Sequence, residues 1–243
     1  MPFRIDIEQS RSREPIARQV ARALREAVVT MRLKPGEMLS EQEIADQFGI
    51  SRSPVREAFI KLGEAGLVRI LPQRGTMVAK ISQRAVEDAR FIREAVECAV
   101  AREAARIRDP IALDRLADSL RRQRRAARAK DVQGFFTLDE EFHQLLADAA
   151  GRPATWHTIE DVKPQMDRVR YLSMEDATPL AVLVQQHAAV AAAVKTGDVP
   201  GAEAAMRSHL TEILGSLPAL AAKHPELFDE GSPAARPAAT RSA

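Results

Sequence analysis

Residues 40–56, Ser-Glu-Gln-Glu-Ile-Ala-Asp-Gln-Phe-Gly-Ile-Ser-Arg-Ser-Pro-Val-Arg, constrain this chain more than any other stretch. Ser40, followed three residues later by Glu43, forms a capping box and so starts a helix. Ile44, Ala45 and Phe48 recur at helical spacing, and Gly49 falls where a left-handed residue ends a helix. Ser51 caps a second helix whose apolar side is Val55, Ala58, Phe59 and Leu62. Arg52, Ser53 and Arg56 fall on its other side. A helix-turn-helix sets the first turn of its second helix against base edges in the major groove, so hydroxyls and guanidiniums belong there. Arginine pairs bidentately with guanine, and serine reaches bases or phosphates. The same residues would also suit the solvated face of a plain helical hairpin, but turn, cap and charge placement together favour DNA.

A wing follows. Leu67-Val68-Arg69-Ile70 and Thr76-Met77-Val78-Ala79 are strand-like runs on either side of Leu71-Pro72-Gln73-Arg74-Gly75. Arg74 at the tip is placed to meet DNA, and Gly75 permits close approach of backbone to phosphate. Residues 1–80 carry fourteen Lys or Arg against ten Asp or Glu, while the whole chain is only +2. A basic head on a slightly acidic body is the charge distribution of a nucleic-acid reader.

The stretch Arg32-Leu33-Lys34-Pro35-Gly36-Glu37-Met38-Leu39-Ser40-Glu41, with Ile44-Ala45, residues 49–58 and Leu62, Gly66-Leu67-Val68, resembles the winged-helix head of GntR-family bacterial transcription regulators. The resemblance spans about residues 10–80. It implies that Ser51, Arg52, Ser53, Arg56 and Gly75 contact operator DNA. Gln42 departs from the pattern, standing where some members carry a DNA-touching arginine.

At 243 residues the chain has room for a second, larger domain behind a head of 1–80. Aromatics make up only 4%, with Ala and Leu dominating, which favours helix packing over a sheet. The expectation is a mainly α chain: an all-helical body over 81–224, then a disordered tail over 225–243 rich in Gly, Ser, Pro, Ala and Arg. Helices are expected over about 84–107, from 110 through the arginine run, 131–149, 153–173, 178–196 and 198–222, with breaks at Asp109-Pro110, Gly151, Pro179 and Gly197. Arg121, Arg122, Arg124, Arg125 and Arg128 read as a solvated face, with a phosphate-facing stripe or a surface for the DNA head as the alternative, and Arg168 and Arg170 as an exposed helix face, with anion contact as the alternative. Single Cys98 excludes an intramolecular disulfide and suits a reducing cytoplasm, where it reads as a partly buried, inert thiol. The chain shows no uncharged apolar run of 18 residues and no signal-peptide pattern, so a cytoplasmic protein with no membrane partner is expected.

The body's second signal is histidine placement. Asp139 and His143, four apart, share a helix face. His187 lies between Val184 and Val190, and His209 between Met206 and Ile213, each beside an apolar stripe. Brought together, three imidazoles and a carboxylate suit a borderline divalent cation such as Zn, Ni or Mn. Spacing alone equally allows three separate core histidines. His157 and His224 read as structural or exposed.

The Asp-x-x-x-His pattern at Asp139 and His143, then His187 and His209, resembles the metal site of the FCD effector domain in the FadR-like branch of the same regulators. Those domains are all-helical bundles, and many bind a divalent metal beside a small organic acid. Phe91-Ile92-Arg93-Glu94-Ala95-Val96-Glu97 matches the domain's start, and the resemblance implies that Arg93 meets the acid's carboxylate. An ion pair between Arg93 and a nearby Glu is the alternative.

The function expected is a metal-containing, small-carboxylate-responsive homodimeric regulator, repressor rather than activator, acting on double-stranded operator DNA. The rival is a helical metalloenzyme with an accessory winged helix, since a bound metal can activate water. Against it, Glu140 and Glu141 fall off the Asp139/His143 face, and the chain has no His-Glu-x-x-His motif or nucleophile–base pair.

Overall fold

A computed structural model describes residues 14–229. Helix α1 (Ile16–Val29), which none of the motifs above names, lays Val20, Leu24, Ala27 and Val28 along one face and closes the core of the head. Helices α2 (Glu41–Phe48) and α3 (Arg52–Glu64) follow. The Ser40 side chain accepts from Glu43 N, and Gly49 ends α2 at φ 63°. Ser51 stands at the N-cap of α3, but its hydroxyl makes no capping bond, contrary to the expected cap. The wing strands β2 (Val68–Leu71) and β3 (Gly75–Val78) pair antiparallel, and β1 (Met38–Leu39) joins β3 on its other edge. Gly75 has φ 101°, and a Cβ there would lie 3.3 Å from Met38 Cε, so backbone geometry alone already calls for glycine.

The body is helical: α4 (Gln83–Ile107), α5 (Pro110–Ala129), α6 (Val132–Ala149), α7 (Ala154–Val162), α8 (Pro164–Asp176), α9 (Leu180–Thr196) and α10 (Val199–Lys223). Asp109 caps α5 through Ile111 N and Ala112 N, with Pro110 in the first turn. Helix α10 packs along α4 and α9, and α5 along α6 and α9. Leu116, Phe142, Leu146, Trp156, Val190 and Met206 form the centre of their shared core.

Three further expectations need correction. The single helix over 153–173 is two, because Pro164 has no N–H to continue the hydrogen-bond ladder of α7; α8 starts at this proline. The segment after 224 is ordered at first: Pro225–Leu227 form a 3-10 turn, Phe228 is buried, and Ile81 exchanges backbone bonds with Leu227 and Asp229. The rest of the expected tail, 230–243, lies outside the described residues. Arg168 and Arg170 are buried and not exposed, because α8 is enclosed by α1, α4, α6, α7 and α10.

Helix α8 also joins body to head. Gln165 Nε2 donates to Gly66 O, and Arg168 Nη1 donates to Ala79 O at 2.8 Å. Arg25 of α1 donates to Glu160 O at 2.6 Å. Among the described residues Arg168 Nε and Nη2 have no hydrogen-bond partner, and burial lowers this arginine's pKa to about 10. A buried charge with no counter-ion destabilises the fold. Arg168→Met, similar in length, should raise the urea-unfolding free energy by about 1 kcal/mol or more; a fall in stability would instead mean that the Ala79 bond dominates.

Candidate functional site

On the head, Ser51, Arg52, Ser53 and Arg56 are all exposed along the first turns of α3, beside the wing tip that carries exposed Arg74. The two arginines are already engaged. Arg52 Nη2 lies 3.0 Å from Glu41 Oε2, and Arg56 donates to both oxygens of Glu41 at 3.0 and 2.9 Å. Arg56 above all, with Arg52, holds the Glu41 carboxyl below the usual carboxylate range despite some burial. Glu41, at the start of α2, therefore aligns both forks on one surface, a role no motif assigned to it.

In the body the chain brings Asp139, His143, His187 and His209 together from α6, α9 and α10. All four are buried, and each offers a ligand atom within 4.8 Å of the others. His209 Nε2 lies 3.2 Å from His143 Nε2 and 3.2 Å from His187 Nε2, and Asp139 Oδ1 lies 3.5 Å from His187 Nε2. Phe142 stacks on His187 at 4.2 Å, and Trp156 lies parallel to His143 at 6.1 Å, fixing the ring planes.

The outer nitrogens decide what the inner ones can do. His187 Nδ1 meets Gln123 Oε1 at 2.8 Å, and Gln123 Nε2 donates to Leu138 O, an acceptor only, which fixes the amide's orientation. His209 Nδ1 meets Gln186 Oε1 at 2.9 Å, and Gln186 Nε2 donates to Glu212. His143 Nδ1 lies 2.5 Å from Glu97 Oε2, a close contact without hydrogen-bond alignment. Burial would push the Glu97 carboxyl up, but Arg93 and His143 hold it well below its usual range. The Nδ1 of His187 and that of His209 thus each face an acceptor and carry the proton. Burial first, then neighbouring charges, drives the His187 and His209 pKa values well below the usual histidine value, so both rings are neutral. Their Nε2 lone pairs converge on one point.

That donor set fits a metal ion. Imidazole nitrogens bonded at about 2.1 Å would stand about 3.0–3.4 Å apart around one ion, and the 3.2 Å spacings fall inside that range. Outer acceptors that fix tautomers in this way are the usual support of metal-bound histidines. A cavity of about 40 Å³ adjoins the cluster, lined by Arg93, Asp139, Arg170, Thr178, His209 and Glu212 among others. Arg93 Nε pairs with Glu97, while its buried Nη2 has no hydrogen-bond partner among the described residues. The ion pair with a Glu and a free donor beside the cavity therefore coexist.

Gln123, Gln186, Glu97 and Arg170 are the site residues that sequence reasoning missed. Gln123 had a signal: it interrupts the arginine run three residues after Leu120, on the apolar stripe. Of that run, Arg121, Arg124, Arg125 and Arg128 are exposed, and Arg122 pairs with Glu141. Cys98 is buried, and burial pushes its thiol up to about 11. His157 is exposed beside Glu160, and His224 meets Asp176.

Residues 16–78 match the bacterial regulatory proteins of the gntR family, and residues 88–212 match the FCD domain. The HTH-type transcriptional repressor RspR of Escherichia coli (strain K12) is 42% identical over 217 residues, which cover 89% of this chain and 95% of RspR. The gluconate operon transcriptional repressor of Bacillus subtilis (strain 168) is 27% identical over 186 residues, 74% of this chain and 76% of its own length. Among solved structures, E. coli McbR/YncC has the same fold, with a TM-score of 0.75 at 22% identity over 85% of this chain and 99% of that one. No helix among the described residues is long and apolar enough to cross a membrane. The relatives are regulators, which sets aside the metalloenzyme alternative. A winged helix-turn-helix that presents its arginines, an FCD body behind it and a 42% identical repressor place this chain in the GntR family of bacterial regulatory proteins, as a DNA-binding transcriptional regulator and not an enzyme.

Proposed function

We propose that this protein is a cytoplasmic, homodimeric repressor that holds a divalent metal, Zn, Ni or Mn, and answers a small organic acid. Its parts are a DNA-binding head over 1–80, an effector-binding and dimerising body over 81–224, and a tail beyond. The observation that carries the reading is the convergence of three buried Nε2 atoms, with that of His209 3.2 Å from each of the other two, beside the Asp139 carboxylate. Asp139, His143, His187 and His209 would hold the cation, which supplies a fixed positive centre open to a carboxylate. Arg93 Nη2 supplies the second contact for that carboxylate. Glu97 orients both Arg93 and His143, and so ties the acid's position to the cluster. The printed name of the gluconate operon transcriptional repressor, an operon named for a carboxylate sugar acid, and the repressor title of RspR support an acid-responsive repressor.

On DNA, Ser51, Arg52, Ser53 and Arg56 would read the major groove while Arg74 and Gly75 follow the backbone. Two heads on a two-fold operator need a fixed half-site spacing, and a change in the bodies would disturb it.

Thermal shift on the purified protein tests the site. At a metal concentration about a hundredfold above Kd, the melting point should stand roughly 5–10 °C above that with chelator, and His187→Ala should abolish the difference. One carboxylate in a screen of small acids should add a further metal-dependent rise, lost in Arg93→Lys, which keeps the charge but not the fork. A melting point blind to chelator would sink the metal reading. Gln123→Leu should weaken metal binding about 10–100-fold by freeing the His187 tautomer, read by competition with a chromogenic chelator. Arg52→Ala or Arg56→Ala should weaken operator binding by about 1–3 kcal/mol in gel-shift titrations, and wild-type affinity should fall steeply with salt.

A further inference from the structure

Helix α8 carries, within six residues, groups that face the metal-ligand cluster and groups that face the DNA head. Arg170 Nη2 holds Asp139 Oδ2, one oxygen of the candidate ligand, leaving Oδ1 toward His187. Arg170 Nη1 reaches Glu140 at 2.6 Å and, one turn back on its own helix, Asp167 Oδ1 at 2.9 Å. The other oxygen of Asp167 meets Lys163 Nζ at 2.7 Å and Arg25 Nη2 of α1 at 3.8 Å. Arg25 is pinned a second time through Glu160 O. Asp139, Asp167 and Lys163 are all buried, so water does not screen this chain of charges as it would on a surface.

We propose that Arg170 is the positioning residue that links the two ends of the protein: filling the Asp139–histidine cluster fixes Arg170, and the Arg170–Asp167–Arg25 chain carries that restraint into α1 of the head. This rests on the metal reading above. A carboxylate with one oxygen on a guanidinium and the other committed to the cluster loses its rotational freedom. Arg170 then has one position, and Asp167 with it. Gln165 and Arg168, on the same helix, hold Gly66 and the linker at Ala79, so a restraint on α8 reaches the head at three places. The link through Arg25 is the one whose head-side partner is a side chain, and therefore the one that substitution can cut without touching the site. Arg25 is also partly exposed at the surface of α1, so its replacement leaves both cores intact.

The test is hydrogen–deuterium exchange of the full-length protein with Zn²⁺ and with EDTA, wild type beside Arg25→Gln, together with the melting point of each. In the wild type Zn²⁺ should slow exchange in α1 by about threefold or more, as expected when a local opening is suppressed. In Arg25→Gln the melting point should still rise with Zn²⁺, while exchange in α1 no longer depends on the ion. A merely structural Arg25 would quicken exchange equally in both conditions, and an undiminished Zn²⁺ effect in the variant overturns the relay. So does a wild type whose melting point responds to Zn²⁺ while α1 does not. A wild-type melting point indifferent to Zn²⁺ overturns the metal reading itself, and the relay with it.

Discussion

Neutral imidazoles whose unprotonated nitrogens point at one another repel, and the body of this protein holds His187 and His209 in that posture, with the His143 ring against them. The restraint comes from outside the cluster. Two glutamine oxygens and one glutamate carboxylate take the Nδ1 sides, Phe142 stacks on one ring, and burial keeps His187 and His209 uncharged. These partners sit on α4, α5 and α9 while the histidines sit on α6, α9 and α10, so one arrangement locks most of the bundle's helices in register. Buried polar contacts satisfied in this number rigidify the interior around the cluster.

The head obeys a different logic, that of the surface. Its apolar core is formed by α1, α2, α3 and the short sheet, and its polar residues are left outward for DNA. Glu41 is an acid set among the arginines of that face. By holding Arg52 and Arg56 it keeps two flexible side chains in a defined place, which reduces the ordering entropy of any contact they make.

The helix-turn-helix and wing were legible in the sequence because their signals are local: a cap, a left-handed glycine, an apolar stripe and a hairpin turn, all within forty residues. The cluster of Asp139, His143, His187 and His209 was legible in outline from helical phase and family resemblance, since each residue sits beside an apolar stripe. Arg168 and Arg170 were misplaced for a physical reason. A polar residue on a helix is expected outward, and only tertiary contacts supply the carboxylates of Asp139 and Glu140 that let Arg170 go inward. Arg168 has no such carboxylate among the described residues, so no rule of pattern would have buried it. The break at Pro164 was open to a stricter reading of proline. Gln186 was hidden by its neighbour: beside His187 it reads as an ordinary polar residue until the fold sets it against His209.

The chain has one tryptophan, Trp156, and the structure lays it parallel to the His143 ring at 6.1 Å, with the Lys163 ammonium 5.4 Å from its own ring. Its indole emission therefore comes from a single location, the wall of the cluster and the near end of α8. The protein carries a built-in optical gauge: the brightness and wavelength of its fluorescence follow the electric field at His143 and Lys163, with no label to disturb the packing.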